Sequence, residues 1–137
     1  MREIRFRGKR TDGKGWAFGD LAHEAFDGTS KILPIAIRQK VKGYYSYPIE
    51  VIQETVGQFT GLQDAYGVDI YEGDLLKLRD PYNFCWTVNC GQVVFSNEYV
   101  GGWVLISDKK GALNIGSRTN YVKVMGNIHE NHELLKS

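Results

Sequence analysis

Glycine is the residue that most constrains this chain. It occupies 16 of the 137 positions, well above the ~7% of average usage. The excess is accompanied by 3 Trp, 8 Tyr and 6 Phe rather than by the residues that build long helices. A glycine inside a helix or strand costs roughly 0.5–1 kcal/mol relative to alanine, whereas in a turn it supplies backbone conformations that other residues resist. A bundle of long helices is therefore disfavoured, and a β-rich chain with many turns is expected. At this length folding buries roughly two-thirds of the unfolded chain's surface, enough for a core without disulfide or metal staples.

The alternation of side chains agrees with that reading. Ile4 and Phe6 point one way while Arg5 and Arg7 point the other, and Trp16 and Phe18 repeat the pattern after Thr11-Asp12-Gly13-Lys14-Gly15, which predicts a strand, a turn and a return strand. Residues 21–26 read as a short helical turn closed by Asp27-Gly28. Ile32, Leu33, Ile35 and Ile37 then form a strand, and Pro34, which has no N–H to give, argues that it lies at an edge. Tyr44, Tyr45, Tyr47 and Pro48 lead into Val51 and Ile52. Further on, Gln63-Asp64-Ala65-Tyr66-Gly67 predicts a turn closing onto Val68, Ile70 and Tyr71. The stretch Asp74-Leu75-Leu76-Lys77-Leu78 reads as a strand. Residues 84–88 and 92–95 read as a hairpin around Asn89-Cys90-Gly91, with 103–106 as its next neighbour and 121–125 as a last strand. Asn131 is placed to cap a terminal helical turn through Leu135.

Charge narrows the function classes. The net charge is +1, so no global field drives binding to nucleic acid or membranes. The distribution is uneven, since residues 1–20 hold six basic groups against three acidic ones, and 61–137 hold seven against nine. No apolar run approaches the ~18 residues of a membrane span, and residues 1–10 are charged throughout with no apolar leader core. No membrane association and a cytoplasmic location are the expectations. Cys85 and Cys90 sit five apart, which fits neither a dense disulfide framework nor a paired Cys-x-x-Cys zinc site, and they read as reduced thiols.

No catalytic template fits. Gly13-Lys14-Gly15-Trp16-Ala17-Phe18-Gly19 puts its third glycine one residue late for a dinucleotide loop and runs into a strand where a helix is required. His129-Glu130-Asn131-His132 spaces its histidines by three, not the four that places both on one helical face for zinc. The chain has no G-x-S-x-G elbow, and its three histidines are His23, His129 and His132. The acidic residues Asp64, Asp69, Glu72, Asp74 and Asp80 would suit a paired-carboxylate or divalent-cation site, but they lack the spacing of a calcium loop, and acids beside glycines are ordinarily turn formers with solvated side chains. The expectation is a non-enzymatic protein with no catalytic, cofactor-binding or metal residues.

Two segments are candidates for contact with a partner. Arg5, Arg7 and Lys9 alternate along one strand face, roughly 6 to 7 Å apart at two residues' rise, a spacing suited to a phosphate backbone or an acidic protein surface, although the net charge lends nucleic acid no support. The plainer reading is the solvated face of an edge strand whose charges block aggregation. Tyr44, Tyr45 and Tyr47 would stack on bases or bury in a subunit interface. The interface is preferred because the edge-type strand around Pro34 is suited to pairing with another chain.

Several blocks carry a family resemblance. Arg2-Glu3-Ile4-Arg5-Phe6-Arg7-Gly8-Lys9, Gly15-Trp16 with Gly19-Asp20, Glu54-Thr55-Val56-Gly57-Gln58-Phe59-Thr60-Gly61-Leu62 with Asp64 and Gly67, Ile70-Tyr71-Glu72-Gly73-Asp74, and Gly126-Asn127-Ile128-His129-Glu130-Asn131 together resemble the YopX family of phage and prophage proteins. The blocks span nearly the whole chain, while residues 22–50 and 81–120 carry little of a shared motif and His132 stands where proline is expected. The resemblance implies a small, phage- or prophage-encoded β protein with a barrel-like C-terminal part and no established activity. It supplies no catalytic residues.

The expectation is thus a mainly β, single YopX-like domain over 1–137. An N-terminal β-sheet region (1–60) is packed with a C-terminal SH3-like small barrel (61–137), and a short helical turn ends the chain. Its expected function is binding, as a homo-oligomer with scope for a protein partner. A nucleic-acid-binding protein using the basic strand is the alternative, and a metal-dependent enzyme built on the acidic cluster is the second alternative.

Overall fold

The computed structural model describes residues 5–29, 31–45, 47–80, 82–83, 85–86, 90–95, 102–107, 111–116 and 118–135. They are mainly β. Among them, helical structure is limited to three 3-10 turns, Gln53–Thr55, Thr119–Tyr121 and His132–Leu135. The chain divides into two compact units, Met1–Phe59 and Thr60–Ser137.

In the first unit, β1 (Phe6–Lys9) and β2 (Trp16–Phe26) form the expected hairpin, in register from Phe6↔Gly19 to Lys9↔Trp16. Its turn is held by Asp12, whose carboxylate accepts the Lys14 N–H at 2.9 Å and pairs with the Arg10 guanidinium at 2.7 Å. β2 runs on to Phe26 and pairs with β3 (Ile32–Arg38) as far as Phe26↔Ile32. The helical turn expected over 21–26 is therefore corrected to strand. Leu21, Ala22, Ala25 and Phe26 have helix-like spacing, but pairing with β3 overrides that local pattern. Asp27 closes the hairpin by accepting the Thr29 N–H at 2.8 Å.

β4 (Lys40–Val41) and β5 (Tyr44–Tyr45) form a two-stranded ribbon. Lys42 and Gly43 join them at φ 52° and 86°, the doubly left-handed geometry of a tight hairpin turn. β6 (Ile49–Glu50) covers β3 only at Ala36 and Ile37, so among the described residues Pro34 sits on a stretch with no strand on that side. β7 (Gly57–Gln63) begins against β1 at Arg7↔Gly57 and Phe6↔Gln58. The sheet order in this unit is β6-β3-β2-β1-β7, which makes β1 an interior strand. Ala17, Ile35, Ile37 and Val51 form the core with Phe6, Leu21, Ile49 and Val56, beside a smaller cluster of Ala25, Leu33 and Ala36.

The second unit begins with the rest of β7, next to β8 (Asp69–Tyr71). β9 (Asp74–Leu78), β10 (Gly91–Phe95), β11 (Trp103–Ser107), β12 (Gly111–Asn114) and β13 (Val122–Asn127) make an antiparallel sheet in the order β12-β11-β10-β9-β13. β12 and β13 are its two edges and do not pair among the described residues. The SH3-like barrel expected here is thus corrected to an open sheet. The hairpin strand expected over 84–88 lies mostly outside the described residues. Ile70, Leu76, Val93, Trp103, Leu105, Ile115 and Val122 form the core, with Trp103 edge-on to Phe95 at 5.1 Å between ring centroids.

Two polar devices hold this unit's turns. The buried Asp64 carboxylate accepts the N–H groups of Tyr66 at 2.8 Å and Val68 at 2.9 Å on Oδ1, and of Val124 at 3.0 Å on Oδ2. It therefore builds its own turn and ties it to β13, where the register shifts between Val124 and Gly126. At the end of β13, Asn127 and Asn131 bond reciprocally. The Asn131 N–H donates to the Asn127 carbonyl at 2.8 Å, Asn131 Oδ1 accepts the Asn127 N–H at 3.2 Å, and Asn127 Oδ1 accepts from His129 and Glu130 at 3.0 Å each. Asn131 was expected to cap the helical turn, but its side chain reaches back to the strand instead. A Cβ on Gly126 would lie 2.7 Å from Asn131 Cγ, so only glycine admits this approach.

Asp64→Asn turns an amide NH₂ toward an N–H that the carboxylate had accepted. It should lower stability by about 3 kcal/mol in urea unfolding, since bonds to charged acceptors are worth ~1.5–3 kcal/mol each. Gly126→Ala should lose about 1–3 kcal/mol through overpacking. Adding Asn131→Ala should recover part of that loss, giving a non-additive cycle in the same measurement.

Candidate interaction site

The sequence-predicted residues fall into three separate settings. Arg5, Arg7 and Lys9 lie on or beside the interior strand β1, not on an edge. Arg7 is only 8% exposed, and its guanidinium carbon lies 4.9 Å from the centre of the Trp16 ring. That of Arg5 lies 4.4 Å from the centre of the Phe59 ring. Arginine packs readily on aromatic faces because the ring's electron density meets the delocalised cation. The backbone N–H of Lys9 donates to Thr55 Oγ1 at 2.8 Å. The expected row of solvated charges is therefore absent at Arg7, whose side chain is part of the packing.

The acidic residues are dispersed into turns. Asp64 and Asp74 are buried rather than solvated, because backbone N–H groups satisfy their carboxylates, Asp74 Oδ2 accepting from Tyr71 at 2.8 Å. Asp69 accepts from Gln63 Nε2 at 3.0 Å, and Asp80 accepts the Tyr82 and Asn83 N–H groups at 2.7 and 3.2 Å. Among the described residues no three His, Cys, Asp or Glu side chains gather where they could hold a metal ion. His23, His129 and His132 are exposed. Cys85 and Cys90 are free thiols, and burial pushes that of Cys90 above the usual range.

The tyrosines are different. Tyr44, Tyr45 and Tyr47 are 79%, 53% and 78% exposed. Their ribbon is anchored at both ends of the β2–β3 hairpin. Tyr45 has its hydroxyl beside the Asp20 carboxylate, near one end, and Lys40 lies 5.8 Å from the centre of its ring. Tyr47 covers Gly28 at the other end, where a Cβ would meet its Cε1 at 3.0 Å. There the exposed side chains of Phe26 and Ile32 face each other across the strands. The result is a group of exposed aromatic side chains, of which Tyr45 and Tyr47 are held against the β2–β3 hairpin.

A second aromatic group, in the second unit, has no local sequence signature. Tyr66 and Trp86 lie 6.3 Å apart between centroids, tilted by 33°. Lys123 Nζ is 5.5 Å from the Tyr66 ring, and the Arg79 guanidinium is 5.4 Å from Trp86 and 6.0 Å from Tyr121. These residues span 66–123 in the chain, so only sheet pairing brings them together. The available signal was the alternation of Lys77 with Arg79 and of Tyr121 with Lys123.

The profile of the YopX protein family matches residues 5–136. The chain belongs to the YopX family. The blocks that carry the resemblance include residues of the structural devices described above: Asp64 and its turn, Asp74 after β8, and Gly126-Asn127 with Asn131. A crystal structure of protein EF1440 from Enterococcus faecalis is similar to this YopX protein at 25% identity, covering 99% of this chain and 100% of that one, with a TM-score of 0.52. No curated protein matches. No helix among the described residues is long and apolar enough to cross a membrane.

The Asp20 carboxylate beside Tyr45 holds its phenol above the usual value, first through the hydrogen bond and then through charge. Asp20→Asn should bring Tyr45 back toward ~10, read by NMR titration of the labelled ring. Because the folded value is raised, the contact stabilises the fold fully below the unfolded pKa and is lost as pH rises through the folded one.

Proposed function

We propose that this YopX-family protein is a phage- or prophage-encoded accessory protein of the bacterial cytoplasm that acts by binding rather than catalysis, and that it self-associates through Tyr44, Tyr45 and Tyr47. The observation that carries this reading is the pinned, solvent-exposed tyrosine ribbon. Exposed aromatics of this kind mark interaction surfaces more often than chance placements. Tyrosine buries a large area at low entropic loss, and here the neighbouring Asp20 and Lys40 at Tyr45 and the packing of Tyr47 on Gly28 restrain two of the rings before any partner arrives. The β2–β3 hairpin beside it adds Phe26 and Ile32, which widens the apolar area.

The alternatives draw less support. Burial of Arg7 withdraws the middle cation of the basic strand from a phosphate backbone. The metal-dependent enzyme reading requires free carboxylates, whereas those of Asp64 and Asp74 are committed to backbone N–H groups.

Light scattering over micromolar concentrations should give a mass above the 15.5 kDa monomer. The triple Tyr44→Ala, Tyr45→Ala, Tyr47→Ala variant should shift the association midpoint by at least about tenfold, since central aromatic anchors are each worth ~2 kcal/mol or more. A wild-type monomer, or association indifferent to the triple change, would sink the oligomer reading.

A further inference from the structure

We propose that the outer face of the β9–β13 strand pair binds single-stranded nucleic acid, with Lys77, Arg79 and Lys123 meeting phosphates and Tyr66, Trp86 and Tyr121 offering faces to bases. It is built from residues of the second unit and uses none of the tyrosine ribbon or of β1.

The placement follows from register. Lys77 and Lys123 are directly opposed across β9 and β13, and Arg79 follows two residues after Lys77, with its N–H bonded to the Tyr121 carbonyl at 2.7 Å. Residues opposed across strands or two apart along one share a face. Leu76, Leu78, Val122 and Val124 take the other face, toward the core. The outer face therefore carries three cations and Tyr121 along two strands. Lysines directly opposed in an antiparallel pair repel each other, so this arrangement sacrifices some stability to concentrate positive charge, and a polyanion laid along it would relieve the repulsion.

The rings decide which polyanion. Asp64 fixes the turn that carries Tyr66, which remains 62% exposed, and sets it beside Lys123. The bridge Arg79↔Trp86 brings Trp86 to the same strand end. The sequence of contacts runs Lys123, Tyr66, Trp86, Arg79, Tyr121, so that the Tyr66–Trp86 ring pair lies between two cations and Arg79 lies between Trp86 and Tyr121. An acidic polypeptide would use the cations and leave the rings idle. A duplex hides the faces of its bases, whereas an unpaired strand presents phosphates and unstacked bases together. The even net charge of the whole chain matters little here, because backbone contacts are local.

The test is fluorescence anisotropy with a labelled oligothymidylate on the full chain, repeated across a salt series. Arg79 also donates to the Asn120 carbonyl, so the more peripheral Lys123 and Tyr66 are the positions to change. Lys123→Gln should reduce the slope of log affinity against log salt by about 0.7. Tyr66→Ala should weaken binding about tenfold with the slope unchanged, as loss of one stacking ring requires. Absence of binding at low salt overturns the proposal, as does a duplex of equal length binding as tightly. Polyglutamate displacing the oligonucleotide at equal charge concentration would assign the face to an acidic protein instead and would equally overturn it.

Discussion

Much of the second unit depends on one buried carboxylate. Asp64 sits where β7 ends, and its two oxygens collect N–H groups from its own turn and from a strand sixty residues away. A buried anion is costly unless hydrogen bonds replace its hydration, and here three backbone N–H groups do so. The gain is long-range. The Ala65 N–H also bonds the Val122 carbonyl at 3.0 Å, so the turn is clamped to β13 at two points around the place where that strand's ladder is interrupted. Without a strong acceptor there, the Val124 N–H beside the register shift would lose the partner that the ladder does not supply.

That arrangement explains what could be read from residues alone. Local signals were legible: the β1–β2 hairpin follows from alternation around Thr11–Gly15, and the Gln63–Gly67 turn from its asparto-glycine chemistry. Nonlocal decisions were not. Whether Leu21, Ala22, Ala25 and Phe26 form a helical turn or a strand is settled by β3, which lies beyond the next turn. Likewise, a strand order with open edges and a closed barrel draw on the same short apolar runs, and only pairing distinguishes them. Asp64 looked like any turn-forming acid because its third hydrogen bond, to Val124, leaves no trace near position 64.

The surfaces divide along the same line. The exposure of Tyr44, Tyr45 and Tyr47 was readable, since three tyrosines around one tight turn exceed what a two-residue ribbon can bury. Arg7 was misjudged because alternation says which face a side chain takes and not whether that face is covered. Trp16 covers it. The ring and cation series from Tyr66 to Lys123 left only the alternation of Lys77 with Arg79 and of Tyr121 with Lys123 as a signal, because its members come from the 63–67 turn, two strand ends and a bridge, none of them distinctive alone. Membership of the YopX family organises these observations, because the blocks that define the resemblance are mostly backbone-holding residues, whereas the exposed tyrosines lie between the blocks.

The division between the two units falls inside β7, between Phe59 and Thr60. On one side of it the Phe59 N–H is bound to the Arg5 carbonyl at 2.7 Å, and on the other the Thr60 hydroxyl is bound to the Ile70 carbonyl at 2.7 Å. No linker separates the two. Recombination that exchanged one half of the gene for another lineage's half would have to rejoin a strand in mid-course, with both neighbours in matching register. The boundary between the units thus falls within a strand, so a chain cut there would leave neither fragment ending where a strand ends.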